Sequence, residues 1–460
     1  MQTYLREQGS AHAGRAIEEF YCCPEGMLDL RVKGSLSEAQ GYFRVAEETV
    51  CYGRCADGVS PEPPGHRLPQ GSEARRDGTA SLCLSFDPSE VLENLRRERY
   101  PHRQLSGWEG VMKSLYYTLR PLTTLEIRRR VQQFHARRAR NIAFPKWPID
   151  TTVENLCQSV LRAVLATRAI ERLPFIWFWP RGQSGCVMMT HDVETRRGLD
   201  SCENLLKLND SFGIRAAFQL VPEGRYEIPQ SLLASIRAHG SEVGIQDLNH
   251  DGRLFDEEAE FLRRAERIRR YAEEFGAEGF RSAILYRNQD WLDALGFAYD
   301  MSVPNVAHLD PQLGGCCTVM PYFAGNTLEL PVTTVQDYTL FHLLNERSIG
   351  LWEQQTDCIL AKNGMASFIV HPDYIQEADT RRIYEALLRR LTQLRESLSL
   401  WFALPREVNA WWRQRSQMTL VRDGRGWRAE GEGAQEAVVA YASMADGRLI
   451  YQVGEQVVVA

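Results

Sequence analysis

Five short stretches of this 460-residue chain place chemically active side chains directly after apolar runs. The first is Thr190-His191-Asp192-Val193-Glu194, where Asp192 and Glu194 have period-two spacing and share a face if the strand persists. Two neighbouring carboxylates suit metal binding or acid–base work. The second, Gln246-Asp247-Leu248-Asn249-His250-Asp251-Gly252, follows Glu242-Val243-Gly244-Ile245 and brings residues 246 and 250 to one side if it turns helically. Arg281 ends Gly279-Phe280-Arg281, Asp300 opens Asp300-Met301-Ser302, and His371 directly follows Phe368-Ile369-Val370. Singly, each has a bland explanation as a turn cap or a satisfied structural histidine. Five in succession exceed what turn chemistry requires.

Such residues meet only if parallel strands finish at one end, where a rigid frame holds the loop side chains. From about Thr152 the pattern alternates helices with short apolar strands, as a β/α architecture demands. Strands are expected at residues 186–190, 215–220, 242–245, 279–281, 297–300, 328–332, 367–370 and 400–403, with helices at 199–211, 256–275, 351–361 and 380–396. Residues 1–150 read as an α+β region, β-rich at first (27–32, 42–52 and 81–86), then helical from the Asp87-Pro88 start signal. A barrel is expected over 151–415 and a small β-module over 416–460, with hairpin turns at Asp423-Gly424 and Asp446-Gly447. Trp427 and Tyr441 are expected in that module's core. The basic run Arg128, Arg129, Arg130, Arg137, Arg138 and Arg140 reads as the solvated side of an amphipathic helix.

Composition narrows the function. With 54 basic and 60 acidic residues the formal charge is −6, which sets up no field to attract nucleic acid or an anionic membrane. The opening residues carry Arg6, Glu7 and Arg15 and lack the apolar centre of an export signal, and no run approaches the roughly 20 apolar residues of a membrane span. A cytoplasmic protein with a small or neutral partner is expected. Eleven scattered cysteines read as reduced thiols, since adjacent Cys22 and Cys23 are poorly placed to share one zinc ion with Cys51 and Cys55.

In order and spacing, the five stretches resemble the motifs of the polysaccharide deacetylase family, also called the NodB-homology or carbohydrate esterase 4 family, over roughly residues 180–405. Thr190-His191-Asp192 with Glu194 stands for Thr-Phe-Asp-Asp, and Gln246 to His250 for His-Ser/Thr-x-x-His. Arg281, Asp300-Met301-Ser302-Val303-Pro304 and His371 stand for the third, fourth and fifth motifs. The resemblance implies a distorted (β/α)7 barrel that removes N-acetyl or O-acetyl groups from amino sugars with a divalent metal, commonly zinc. It assigns Asp192 as general base, Arg281 as the opposite charge beside it, His371 as general acid, and Asp300 to the catalytic set. Glu194, His250 and Gln246 become the metal ligands. The substrate it implies is an acylated amino sugar or oligosaccharide in polysaccharide, exopolysaccharide or glycolipid synthesis.

Three positions depart from the family pattern. Val193 stands where the second aspartate is usual, Gln246 where the first metal histidine is usual, and Ser282-Ala283 follow Arg281 where proline is usual. Gln246 favours an alternative, a barrel relative that cleaves another C–N bond such as a cyclic amide with little or no metal. A noncatalytic carbohydrate-binding assembly protein is a third reading. It leaves Asp192, His250, Arg281 and His371 without a reason to occur together.

Overall fold

A computed structural model describes residues 13–28, 30–46, 49–63, 67–71, 75–76, 82–101, 142–167, 171–424 and 426–459. The basic run from Arg128 to Arg140 lies outside them, as does part of the Pro/Gly-rich loop expected near residues 60–78. The chain divides into two compact units. One comprises Met1–Leu95, Thr152–Gly182 and Arg413–Ala460, the other Arg96–Thr151 and Gln183–Trp412. Of the expected segment 1–150, residues 1–95 fall in one unit with 152–182 and 413–460, and the remainder falls in the unit that carries the expected barrel strands.

The second unit is mixed α/β and carries the polar strand ends. Its strands are β1 (Cys186–Val193), β2 (Ala217–Leu220), β3 (Glu242–Gln246), β4 (Gly279–Arg281), β5 (Tyr299–Asp300), β6 (Tyr322–Ala324), β7 (Thr327–Glu329), β8 (Met365–Ile369) and β9 (Trp401–Phe402). They form one sheet in the order β6-β7-β5-β4-β3-β2-β1-β8, with β9 also paired to β1. Only β6 is antiparallel among the described pairings. The sheet curls back on itself. Thr333, just past β7, bonds through its Oγ1 to the Met365 carbonyl and the Ser367 N–H, and Thr334 Oγ1 donates to the Ser367 carbonyl, so hydroxyls span the gap to β8.

Every residue of β1 is buried, as a strand covered on both faces requires. The packed helices include α1 (Arg196–Ser211), α2 (Gln230–Ala238), α3 (Glu258–Phe275), α4 (Gly350–Leu360) and α5 (Ala378–Leu398). In α3 the buried residues Phe261, Ala265, Ile268, Ala272 and Phe275 recur at helical spacing, and Gly276 ends the helix in the left-handed conformation. Phe261, Ile268 and Phe275 belong to the same core as Val193, Phe218, Ile245 and Phe368 from the sheet.

The first unit contains an antiparallel sheet in which Arg172–Ile176 pairs with Val439–Ala445, followed by Arg448–Val453 and Gln456–Val459. Asp446 and Gly447 both have positive φ, as expected for the tight turn between its two central strands. A second hairpin joins Thr419–Asp423 to Gly426–Glu430. Trp427 and Tyr441 are not core residues as expected: each is half-buried, and the guanidiniums of Arg422 and Arg172 lie 4.9 and 4.6 Å from their ring centres.

Candidate active site

Strand alternation sorts the first motif. His191 and Val193 point from β1 towards the helices: His191 bonds the Val370 carbonyl through Nδ1 and Asn209 of α1 through Nε2, and Val193 lies in the apolar core. Burial pushes the His191 ring down to about 4, which makes it a neutral structural residue. Thr190 and Asp192 point the other way. Val193 therefore contributes hydrocarbon where the family pattern has a ligand, and Glu194, the next residue on the Asp192 side, is free to serve. Thr195 then caps α1 by accepting from the Gly198 N–H, so the chain leaves the site within one residue.

Asp192 Oδ1 accepts from Arg281 Nη1 at 2.6 Å, with both side chains buried. Arg281 ends β4 in register with Gln246, the last residue of β3, and its Nη1 also donates to Thr190 Oγ1 at 2.8 Å. Its Nε donates to the Met301 carbonyl at 3.0 Å. The ends of β1 and β5 thereby fix the guanidinium that β4 carries. Gly244, two residues before Gln246, leaves room for the buried Gln219 side chain, whose Oε1 would sit 2.1 Å from any Cβ there.

His371 follows β8 and is held by Asp337, which accepts from its backbone N–H at 2.8 Å and lies 2.6 Å from its Nδ1. This pair fixes the ring so that Nε2 faces Glu194 Oε1, 3.3 Å away. On the other side of Glu194, His250 Nε2 approaches the same oxygen to 2.9 Å without hydrogen-bond geometry. His250 has positive φ, and Arg225 holds its carbonyl at 2.8 Å. Burial opposes charge on both imidazoles, but Asp337 and Glu194 raise His371 well above the ordinary histidine range, and Glu194 raises His250. The two rings in turn overcome the burial penalty on Glu194 and hold its carboxyl well below the usual carboxylate range. For Asp337, burial pushes upward while His371 and the Tyr338 and His371 N–H groups push back.

Asp192, Glu194, Arg281, His371, Gln246 and His250 therefore come together at one end of the strands. Asp300 is turned elsewhere: both its oxygens accept from Ser302, and it is paired in register with Glu329. Burial raises both carboxyls, and their proximity raises Glu329 well above its ordinary value. Asp337 is the site residue that sequence reasoning missed. No local pattern marks it: Asp337 lies in the loop well past β7 and gains its role only where β8 brings His371 beside it.

The donor set fits a divalent cation. Ligand atoms of Asp192, Glu194 and His371 all lie within 4.8 Å of one another. Gln246 Nε2 is 3.2 Å from Asp192 Oδ2 and 3.4 Å from Glu194 Oε1, the separation expected of atoms sharing an ion at about 2 Å each. Gln246 Oε1 and His250 Nε2 are buried without a hydrogen-bond partner. Turning the carboxamide over brings a lone-pair oxygen where the N–H donor now faces the carboxylates.

A buried, charge-paired carboxylate near a carboxylate-held histidine at the C-terminal ends of these strands is an arrangement that can support acid–base chemistry. No protein-family model matches the chain, and no curated protein is similar to it in sequence. Among solved structures, similarity extends to polysaccharide deacetylases of the NodB-like carbohydrate esterase 4 family, at low identity and over part of the chain. A Mycobacterium smegmatis structure assigned as a polysaccharide deacetylase is 17% identical, covering 54% of this chain and 97% of its own with a TM-score of 0.41. The family 4 carbohydrate esterase of Streptomyces lividans, solved with acetate, is 15% identical over 47% of this chain and 91% of its own, TM-score 0.30. PuuE allantoinase is 16% identical over 51% and 92%, TM-score 0.40. Among the described residues no helix is long and apolar enough to cross a membrane.

Proposed function

We propose that this chain is a hydrolase that removes an acetyl group from the nitrogen, or an oxygen, of an amino-sugar unit during cytoplasmic synthesis of a polysaccharide or glycolipid. The observation that carries the reading is the meeting of Asp192 and His371 within 4.8 Å, each held by an opposite charge, Arg281 and Asp337 respectively. The motif order in the sequence and the curled mixed α/β sheet support reading the catalytic unit as a distorted (β/α)7 barrel of NodB type.

Asp192 takes a proton from the attacking water through Oδ2, the oxygen that Arg281 does not hold. The water oxygen bonds to the acyl carbon, and the carbonyl electrons move onto oxygen. As the C–N bond breaks, His371 passes its Nε2 proton to the departing amine, while Asp337 keeps Nδ1 occupied and stabilises the imidazolium. The products are a carboxylate and a free amine. Glu194, His250 and Gln246 would hold a divalent cation, zinc by the family resemblance, which when bound polarises the carbonyl and acidifies water. Arg281 keeps the base in place and is itself steadied by the Met301 carbonyl, while Asp300, bonded to Ser302, has no contact with the reacting groups.

The test is acetate release from N-acetylglucosamine oligomers by the full chain. Asp192→Asn and His371→Ala are each expected to lower kcat by roughly 10²- to 10⁴-fold. Full activity in Asp192→Asn would remove the base from the mechanism, and inertness towards every acylated sugar tried would favour a noncatalytic binding role. A specific observation favours the second reading, hydrolysis of another amide without metal: the Gln246 N–H group already satisfies both carboxylates. Hydrolysis that persists in metal-free, chelator-treated protein would select it.

A further inference from the structure

Past β8 the chain turns back on itself, with the Tyr374 N–H donating to the His371 carbonyl at 3.1 Å. This turn lays the Tyr374 ring beside the His371 imidazole, ring centres 5.0 Å apart and planes at 56°. Two more aromatic residues close in on the same ring. Tyr338, which directly follows Asp337, has its ring centre 5.6 Å away, and that of His342 is 5.2 Å away at 77°. His342 is carried by a single π-helical turn, Thr339–Leu343, a geometry that collects at functional sites. The Asp337 loop and the end of β8, which together build the acid, thus also build the seat of Tyr374.

The seat holds the ring but not the hydroxyl. Around the sheet, Tyr226, Tyr299, Tyr322 and Tyr384 donate to the Val193 carbonyl, Glu242, the Arg96 carbonyl and Asn209, as packed tyrosines ordinarily do. Tyr374 is half-buried, and its hydroxyl has no hydrogen-bond partner among the described residues. Burial pushes the phenol above its ordinary range, with Glu194 the foremost charge acting on it and Asp337 next. Its proton therefore stays on oxygen at any ordinary pH, and the group can both donate and accept. Those two charges also describe its surroundings: one carboxylate stands at the centre of the site, and the other holds His371. The amine that His371 protonates belongs to the sugar, so the sugar lies against the same imidazole that Tyr374 flanks. A sugar hydroxyl is then the partner that the protein does not supply.

We propose that Tyr374 is a substrate-binding residue whose hydroxyl exchanges a hydrogen bond with a hydroxyl of the same sugar that carries the amide. This inference rests on the hydrolase reading above, which puts the sugar's amine at His371, and it adds a residue that reads the sugar itself. The experiment is a mutant cycle with the full chain. It measures kcat/KM of the wild type and of Tyr374→Phe on the methyl glycoside of N-acetylglucosamine and on its 3-, 4- and 6-deoxy analogues. In the wild type, removing the hydroxyl that Tyr374 meets should lower kcat/KM about tenfold, and in Tyr374→Phe the same removal should cost little. A tyrosine that only supports the fold would depress all four substrates by one factor, so identical deoxy penalties in the two proteins overturn the proposal. Tyr374→Phe keeps the ring and its packing. Failure of this variant to fold would show that the hydroxyl serves the structure, and would overturn the proposal too. Should the glycosides not be hydrolysed, the same cycle is read from binding by calorimetry: a deoxy penalty confined to the wild type supports Tyr374, and equal penalties or no binding overturn it. Acetate release from neither glycosides nor oligomers counts against the hydrolase reading alone.

Discussion

Gln246 is a neutral amide where imidazole would make a stronger bond to a transition metal, and its N–H group stands between two carboxylates that already have positive partners, Asp192 in Arg281 and Glu194 in the two imidazoles. Its carboxamide has two states of use: N–H donor to Asp192 and Glu194, or oxygen ligand after a half-turn. Gln246→His should therefore tighten zinc binding at least tenfold in competition with a chromophoric chelator, and unchanged affinity would mean that residue 246 does not face the ion. Asp337 acts through another group. Asp337→Asn removes the charge that stabilises the His371 imidazolium and should lower kcat by about 10- to 100-fold with KM little altered, measured on whichever acylated sugar is hydrolysed. A proportional rise in KM instead would make Asp337 a binding residue. Most of this cluster was legible in the sequence, because a polar residue directly after an apolar strand is a local pattern. Asp337 was not, since it lies in a stretch that reads as ordinary loop and acquires meaning only when β8 delivers His371 beside it.

At the scale of elements, β3 combines two demands: its C-terminal end carries Gln246 into the site, and its first residue, Glu242, is buried at the far end. Glu242 accepts from the Tyr299 hydroxyl and from the Arg406 N–H, yet burial dominates and pushes its carboxyl up to about 7. The folded chain thus keeps this proton up to about pH 7, whereas the unfolded chain releases it near the ordinary glutamate value of about 4.3. The folded state binds more protons between those values. The group's stabilisation is therefore complete below the lower value and is lost as pH rises to the upper, a change of at most about 4 kcal/mol. In urea unfolding at pH 5 and pH 8, Glu242→Gln should show a smaller drop in stability between the two than the wild type. An identical drop would mean that Glu242 is not the group responsible. All eight strands expected of the barrel region have counterparts within a few residues, since each is a short apolar run bounded by turn residues. In this sheet the strand without an expected counterpart is β6, three residues long, antiparallel and at the sheet edge, with Phe323 exposed. Such a run has too little buried surface to stand out.

For the whole molecule, sequence patterning reports where a strand lies but not what it pairs with. Residues 172–176 are an apolar run in the middle of the chain, yet they complete a sheet otherwise made from residues 439–459. A boundary drawn at a change of local pattern does not register that pairing, which is why segments 1–95, 152–182 and 413–460 contribute to one compact unit. Arg415 ties the three segments together. Fully buried, it donates to the carbonyls of Phe20 and Tyr21 from the first segment and of Ile176 and Trp177 from the second, with Phe178 5.3 Å from its guanidinium carbon. Burial depresses its pKa, but no ordinary pH neutralises it, so these carbonyls are satisfied by a permanent cation. Met fills a similar volume and offers no donor, leaving four buried carbonyls short of one partner each. Arg415→Met should cost about 3 kcal/mol or more of this unit's stability. Hydrogen exchange provides the measurement: amides of 172–176 and 439–453 should exchange at least 100-fold faster than in the wild type, corresponding to that loss at 25 °C. Unchanged protection there would mean that apolar packing, including the bonded Tyr21 and Tyr451 pair, holds the three segments without the arginine.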